Sequence, residues 1–99
     1  MHAQVTTIEV SPANLDEATH HLRQNVLPEL QQLDGFQGFI VLGDRRGGKL
    51  LGIALWESAE VAQPAAEVMS RTRGGISHPR GGAVVGEEDY EASIFEVSS

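Results

Sequence analysis

The sequence predicts an α+β fold in which the strands of an antiparallel sheet alternate with two helices in the order β-α-β-β-α-β. The first observation is the pair of stretches 34–42 and 49–58, which carry apolar residues on both alternating faces and flank a run of turn formers. The second is that the 99-residue chain has only two helix-like segments, enough to cover one face of a sheet. The third is the placement of Pro12, Gly35 and Gly47-Gly48, which punctuate the chain where a helix starts, a helix stops and a hairpin turns. An apolar sheet face without helices of its own needs a partner, so the expected state is a homodimer.

Gln4–Val10 is rich in β-branched residues and reads as the first strand. Ser11 is placed to cap the helix that follows, with Pro12 at its first position and Asp16 and Glu17 near the positive end of the dipole. With Leu15 as origin, Ala18, Thr19, Leu22, Val26, Leu30 and Leu33 all fall within roughly 60° of it on a helical projection. This stripe should lie on the sheet. Pro28 predicts a kink or a new turn near Asn25, and Gly35 a left-handed stop. Strand two is expected over Phe36–Leu42, a hairpin loop over Gly43–Gly48 and strand three over Lys49–Trp56. Ser58 would cap a second helix from Ala59 to about Thr72, its early turns weakened by Pro64. Residues 74–82 hold four glycines and a proline and read as a loop, after which Glu88–Val97 is expected as the fourth strand.

This order is the ferredoxin-like pattern, and residues 1–99 make one small domain. In strand two, Phe36, Ile40 and Leu42 should point one way and Phe39 and Val41 the other. In strand three, Leu50, Ala54 and Trp56 should oppose Leu51, Ile53 and Leu55. Neither face is polar, and water on one of them would expose an apolar patch above the few hundred Å² usual for a monomer. Two sheets packed face to face would close a barrel.

Composition narrows the function classes. With 14 acidic and 7 basic residues the net charge is −7, which disfavours nucleic acid or an anionic membrane as a partner. The absence of cysteine excludes disulfides, thiolate metal sites and cysteine nucleophiles. No apolar run approaches the ~20 residues of a membrane span and no leader pattern is seen at the amino terminus, so the expected location is the cytoplasm. Arg45-Arg46 reads as a solvated hairpin tip.

The run Leu27-Pro28-Glu29-Leu30, the segment Gly35-Phe36-Gln37-Gly38-Phe39, the hairpin Asp44–Lys49 and the strand ending Trp56-Glu57-Ser58 together resemble the antibiotic biosynthesis monooxygenase domain of the dimeric α+β barrel superfamily. The resemblance covers nearly the whole chain, and its motifs are structural ones. It implies a dimeric barrel and, as one of several activities on this scaffold, cofactor-independent oxygenation of anthrones or quinols. A haem-degrading branch would carry an asparagine on the first strand, a tryptophan in the second helix and a histidine shortly after it. The aligned positions here are Thr6, Ala65 and a residue near Gly74, so the resemblance disfavours haem degradation.

A cofactor-free oxygenase needs an apolar pocket for an electron-rich aromatic and a base beside it. His78, on a glycine-flanked loop, is the candidate base by its neutral-range pKa, against the plain reading of an exposed loop histidine. Glu29 falls about 40° from the centre of the apolar stripe and is the second catalytic candidate, unless Pro28 turns it to water. Trp56, Tyr90 and Arg73 are candidates for substrate binding, Trp56 by stacking unless it is core, Tyr90 by its hydroxyl and Arg73 for an acidic group. His20 and His21 lie off the stripe and point about 100° apart, and His2 is expected to fray. No metal and no cofactor is expected. The noncatalytic alternative is a dimeric barrel that binds a small apolar ligand or serves as an interaction module.

Overall fold

The structure, a computed structural model, describes residues 1–63 and 83–98. Four antiparallel strands, β1 (His2–Glu9), β2 (Phe36–Asp44), β3 (Lys49–Trp56) and β4 (Ala83–Glu91), form one sheet in the order β2-β3-β1-β4. This is the ferredoxin-like arrangement expected from the sequence.

Between β1 and β2 the chain is helical in four pieces. Pro12–Asn14 makes a 3₁₀ turn, α1 spans Leu15–His21, a π-helical turn spans Leu22–Val26, and α2 spans Leu27–Gln31. Ser11 contributes a backbone carbonyl rather than the expected side-chain cap, accepting from the Asn14 N–H at 2.8 Å. The kink expected from Pro28 is the π turn. Proline lacks an N–H and its ring crowds the carbonyl four residues back, and a widened turn removes that conflict without ending the helix. Leu15, Ala18, Leu22, Val26 and Leu30 are all buried, so the apolar stripe continues through the wide turn. Residues 59–63 are helical and bury Ala62; the rest of the helix expected to reach Thr72 lies outside the described residues.

The core is the space between this helical layer and one face of the sheet, filled by the helical stripe with Ile8, Val10, Leu50, Ala54, Trp56 and Ala62. Each large aliphatic residue buried there contributes about 1.5–3 kcal/mol. Gly35 ends the helical run at φ 84°, the left-handed stop the sequence predicts. The β2–β3 hairpin turns on Asp44, whose Oδ1 accepts from the N–H groups of Arg46 and Gly47 at 3.1 and 3.0 Å. Arg45 is not simply a solvated tip. Its guanidinium holds Asp16 of α1 at 2.6 Å and lowers that carboxyl below its usual range, chiefly by the hydrogen bond and then by charge.

Two expectations are corrected. A register shift between Phe36 and Gly38 turns Phe36 onto the helix-covered face with Phe39 and Val41, away from Ile40 and Leu42. The fourth strand is Ala83–Glu91, not Glu88–Val97. The strand pairs along the whole of β1, with its charged residues opposite His2, Gln4, Val5 and Thr6, whereas the apolar Ile94, Phe95 and Val97 lie beyond the sheet, exposed. Hydrophobic pattern marks the wrong segment because an edge strand is held by main-chain bonds and tolerates charges that discourage further pairing.

Opposite the helices, Ile40 and Leu42 are 40% and 49% exposed, and Leu51 and Ile53 of β3 are half-buried beside them. At Ile40 and Leu42 the second sheet face is thus apolar and exposed, whereas Ala3 and Leu55 on the same face are buried.

Candidate active site

Directly opposed residues of an antiparallel pair share a face, so the registers divide the helix-covered side of the sheet into two halves. On the β2–β3 half, Phe36, Phe39, Val41, Leu50, Ala54 and Trp56 are apolar. On the β1–β4 half, His2, Gln4 and Thr6 stand opposite Trp56, Ala54 and Gly52 on one side and Glu91, Asp89 and Glu87 on the other. The same layer that builds the core therefore carries a polar, titratable strip toward its β4 edge.

A cleft of about 290 Å³ opens on that strip, lined by His2 and Gln4 of β1, Asp89 of β4 and the helical residues Ala59, Ala62 and Gln63. In it the His2 ring nitrogen Nε2 lies 2.9 Å from Asp89 Oδ1, with the histidine side chain 17% and the aspartate 63% exposed. Gln4 is held at both ends of its amide. Its Oε1 accepts from Trp56 Nε1 at 2.9 Å, and its Nε2 donates to the Ala62 carbonyl at 3.1 Å. The β1 strand is thereby tied both to the core and to the helical segment over the cleft. An imidazole oriented by a carboxylate keeps its other ring nitrogen for a proton from a bound molecule. Two further clefts, of about 380 and 360 Å³, lie elsewhere on the described surface, and among the described residues no histidine lines them.

Three of the residues expected from the sequence, Glu29, Trp56 and Tyr90, lie among the described residues, and they stand apart from one another. Glu29 is exposed, not set in a helix–sheet pocket, because the wide turn before α2 brings Leu30 onto the sheet and leaves its neighbour outside. Trp56 is fully buried, with its ring 5.4 Å from that of Phe36 in an edge-to-face contact at 67°. Tyr90 stands on the open face beside Ala3, 50% exposed, and its hydroxyl donates to Glu88 Oε2 at 2.5 Å. That hydrogen bond, followed by desolvation and the carboxylate charge, raises the phenol above its usual pKa. His78 and Arg73 lie outside the described residues. His21 Nδ1 accepts from Asn25 Nδ2 at 3.0 Å. Among the described residues, no group of three or more metal-binding side chains comes together, and no helix is long and apolar enough to cross a membrane.

The sequence predicts a frayed His2, whereas the residue is paired within β1, and sequence reasoning missed Asp89 altogether. Their signal was the alternation His2-Gln4-Thr6 and Glu87-Asp89-Glu91, two polar faces in strands whose other members suit a sheet. Only the pairing of β1 with β4 brings the two faces together.

No protein-family model matches the sequence. A Mycobacterium tuberculosis protein of uncharacterized role, Rv2558, is 34% identical over 73 residues, which are 74% of this chain and 31% of the relative. The chain thus spans about a third of the length of the curated relatives it matches. Among solved structures, the ActVA-Orf6 monooxygenase of Streptomyces coelicolor, in complex with nanaomycin D, superposes with a TM-score of 0.68 at 16% identity over 97% of this chain and 92% of that one. A candidate antibiotic biosynthesis monooxygenase from Nitrosomonas europaea gives a TM-score of 0.73 at 11% identity over 95% and 100%. This chain has the ferredoxin-like α+β fold of the antibiotic biosynthesis monooxygenase structures.

Proposed function

We propose that the chain is a cofactor-independent monooxygenase, or a closely related small-molecule enzyme, acting on a quinol-like aromatic held between the helical layer and the sheet. The observation that supports this reading most is the cleft over His2, Gln4 and Asp89, a titratable strip set into a layer that is otherwise apolar. Such a site sets an imidazole beside Ala59 and Ala62, which suits an aromatic that itself supplies the electrons. The fold likeness to a monooxygenase whose structure holds nanaomycin D supports the same reaction class. The test is oxygen uptake by the metal-free protein with anthrone and hydroquinone substrates, beside His78→Ala and Glu29→Ala variants. Uptake above the uncatalysed rate is expected, and its absence across the panel would overturn the enzyme reading. Because Glu29 is exposed, its replacement is expected to leave turnover within about twofold.

The second part of the proposal is a homodimer joined through the open sheet face. Ile40, Leu42, Leu51 and Ile53 support it, since an apolar face of this kind is stable once covered and a liability in water. Leu42→Glu should shift the protein from dimer to monomer in sedimentation at micromolar concentration while circular dichroism stays unchanged. A wild-type chain that sediments as a monomer there would sink this part of the proposal.

The noncatalytic alternative, a dimeric ligand-binding or interaction module, is favoured by one observation. Clefts on the described surface, such as those of about 290, 360 and 380 Å³, are open and modest.

A further inference from the structure

We propose that His2 is the proton acceptor of the chain, with Asp89 as its positioning residue, and that the cleft they line takes a neutral phenol or hydroquinone of one or two rings. This rests on the reading of the protein as an enzyme of oxidisable aromatics and assigns the base of that site.

The tautomer follows from the hydrogen bond. Asp89 Oδ1 is an acceptor, so His2 Nε2, 2.9 Å away, carries the proton and Nδ1 keeps the lone pair. The acceptor nitrogen is therefore the one turned away from the aspartate. The ring itself is held on strand β1, which Gln4 fixes through Trp56 Nε1 and the Ala62 carbonyl, so little ordering is left to be done when a substrate binds. In the step assigned here, the substrate O–H bond breaks, its proton forms an N–H bond at Nδ1 and the electron pair stays on the substrate oxygen. A neutral phenol and a neutral imidazole become a phenolate and an imidazolium, and the Asp89 carboxylate stabilises the cation that forms.

Charge and size set the substrate class. Asp89 lines the cleft, Glu91 stands opposite His2 in the β1–β4 register and Glu87 lies on the same face two residues before Asp89, and among the described residues no Lys or Arg lines the cleft. Anionic substrates are repelled from such a site, and a neutral hydroxyl-bearing ring is not. A volume of about 290 Å³ stands just below the range for ligand pockets, ~300–1,000 Å³, and fits one or two fused rings better than a larger polycycle.

The experiment uses 1,4-naphthohydroquinone for turnover and the neutral, redox-quiet 1-naphthol for binding. Oxygen uptake is compared for the wild type, His2→Ala, Asp89→Asn and His78→Ala, each shown to be folded by circular dichroism and thermal melting. His2→Ala is expected to lower kcat by roughly 100-fold or more with KM changed only a few-fold, within the range of general-base contributions. Free imidazole should restore part of the His2→Ala rate and none of the His78→Ala rate. Asp89→Asn should lower kcat by about tenfold, through the loss of the tautomer, without such rescue. A folded His2→Ala that keeps kcat within about threefold of the wild type, or whose loss imidazole does not mend, overturns the proposal. Should the wild type show no uptake, the enzyme reading fails and the cleft is judged by NMR alone. A saturable shift of the His2 ring protons by 1-naphthol, absent with 1-naphthoate, supports it as a neutral phenol site, and no shift overturns it.

Discussion

Trp56→Ala is expected to destabilise the fold by about 3–5 kcal/mol, the range for removal of a large buried aromatic. Trp56 is completely buried, its ring meets Phe36 edge to face at 5.4 Å, and its Nε1 donates to Gln4 Oε1 at 2.9 Å. Truncation therefore does three things together. It opens a cavity that the β-sheet and helices cannot collapse to fill, removes an aromatic pair and leaves the Gln4 carbonyl oxygen part-buried without its donor. Stability of a domain this size is about 5–15 kcal/mol, so the loss is a large fraction of the whole. Trp56→Phe separates the contributions, since it keeps most of the volume and discards the N–H; about 1–3 kcal/mol is expected for the orphaned acceptor. Urea titration of both variants, with Gln4→Leu and the double variant to close a cycle, measures the coupling. If Trp56→Ala cost less than about 1 kcal/mol, the account of the core as a packed layer centred on this ring would fail.

Gly48→Ala is the second substitution of large expected effect, about 2 kcal/mol or more. Gly48 sits at φ 66°, where an ordinary L-residue pays about 1–2 kcal/mol, and an added methyl would lie 2.5 Å from the Val10 carbonyl oxygen. That oxygen belongs to the backbone and cannot rotate away. Moreover, the Val10 N–H donates to the Gly48 carbonyl at 2.8 Å, so any retreat of the two strands stretches the bond that joins the hairpin to the end of β1. Gly35 offers the contrast. Its φ is 84°, and a methyl there would meet Val61 Cγ2 at 2.6 Å, which is a side chain. Val61→Ala should therefore remove the closest part of the clash in Gly35→Ala, leaving Cβ at 3.0 Å and the conformational part, whereas no single side-chain truncation relieves the Val10 carbonyl contact of Gly48→Ala. Denaturant midpoints of the four variants decide the matter. A Gly48→Ala protein within about 0.5 kcal/mol of the wild type would show that the turn relaxes freely.

The two glycines also show how far local chemistry carried. Gly35 after a helical run and Gly47-Gly48 in a polar tip are turn signals in any context, and both turned out as such, because the left-handed region is cheap only for glycine. The same holds for Pro28, whose ring and missing donor force a local response wherever it stands in a helix, here the wide turn at Leu22–Val26. Strand three was legible from Lys49 to Trp56 because eight residues alternate between two apolar faces with no breaker except Gly52.

The candidate site was far less legible. Glu29 sits close to the apolar stripe on an ideal helical projection, yet the added residue of a π turn rotates everything after it, and projection at a constant angle cannot carry that phase change. Phe36 was assigned to the wrong face for a related reason, a register shift within two residues of the strand start. Trp56 suited either a stacking platform or the core, and burial decides between them only when the neighbours are known.

What the sequence by itself determined is the order of the elements, the turns, the kink and the two-sided apolarity of β2 and β3. Each of these follows from residues within a few positions of one another, where propensity, stereochemistry and period act directly. Only the tertiary structure decided that β4 is the charged Ala83–Glu91 rather than the apolar segment after it, and that His2 meets Asp89. Those two facts are one fact physically. The partners lie 87 positions apart, and a main-chain ladder that is indifferent to side-chain type chooses which residues face each other across it.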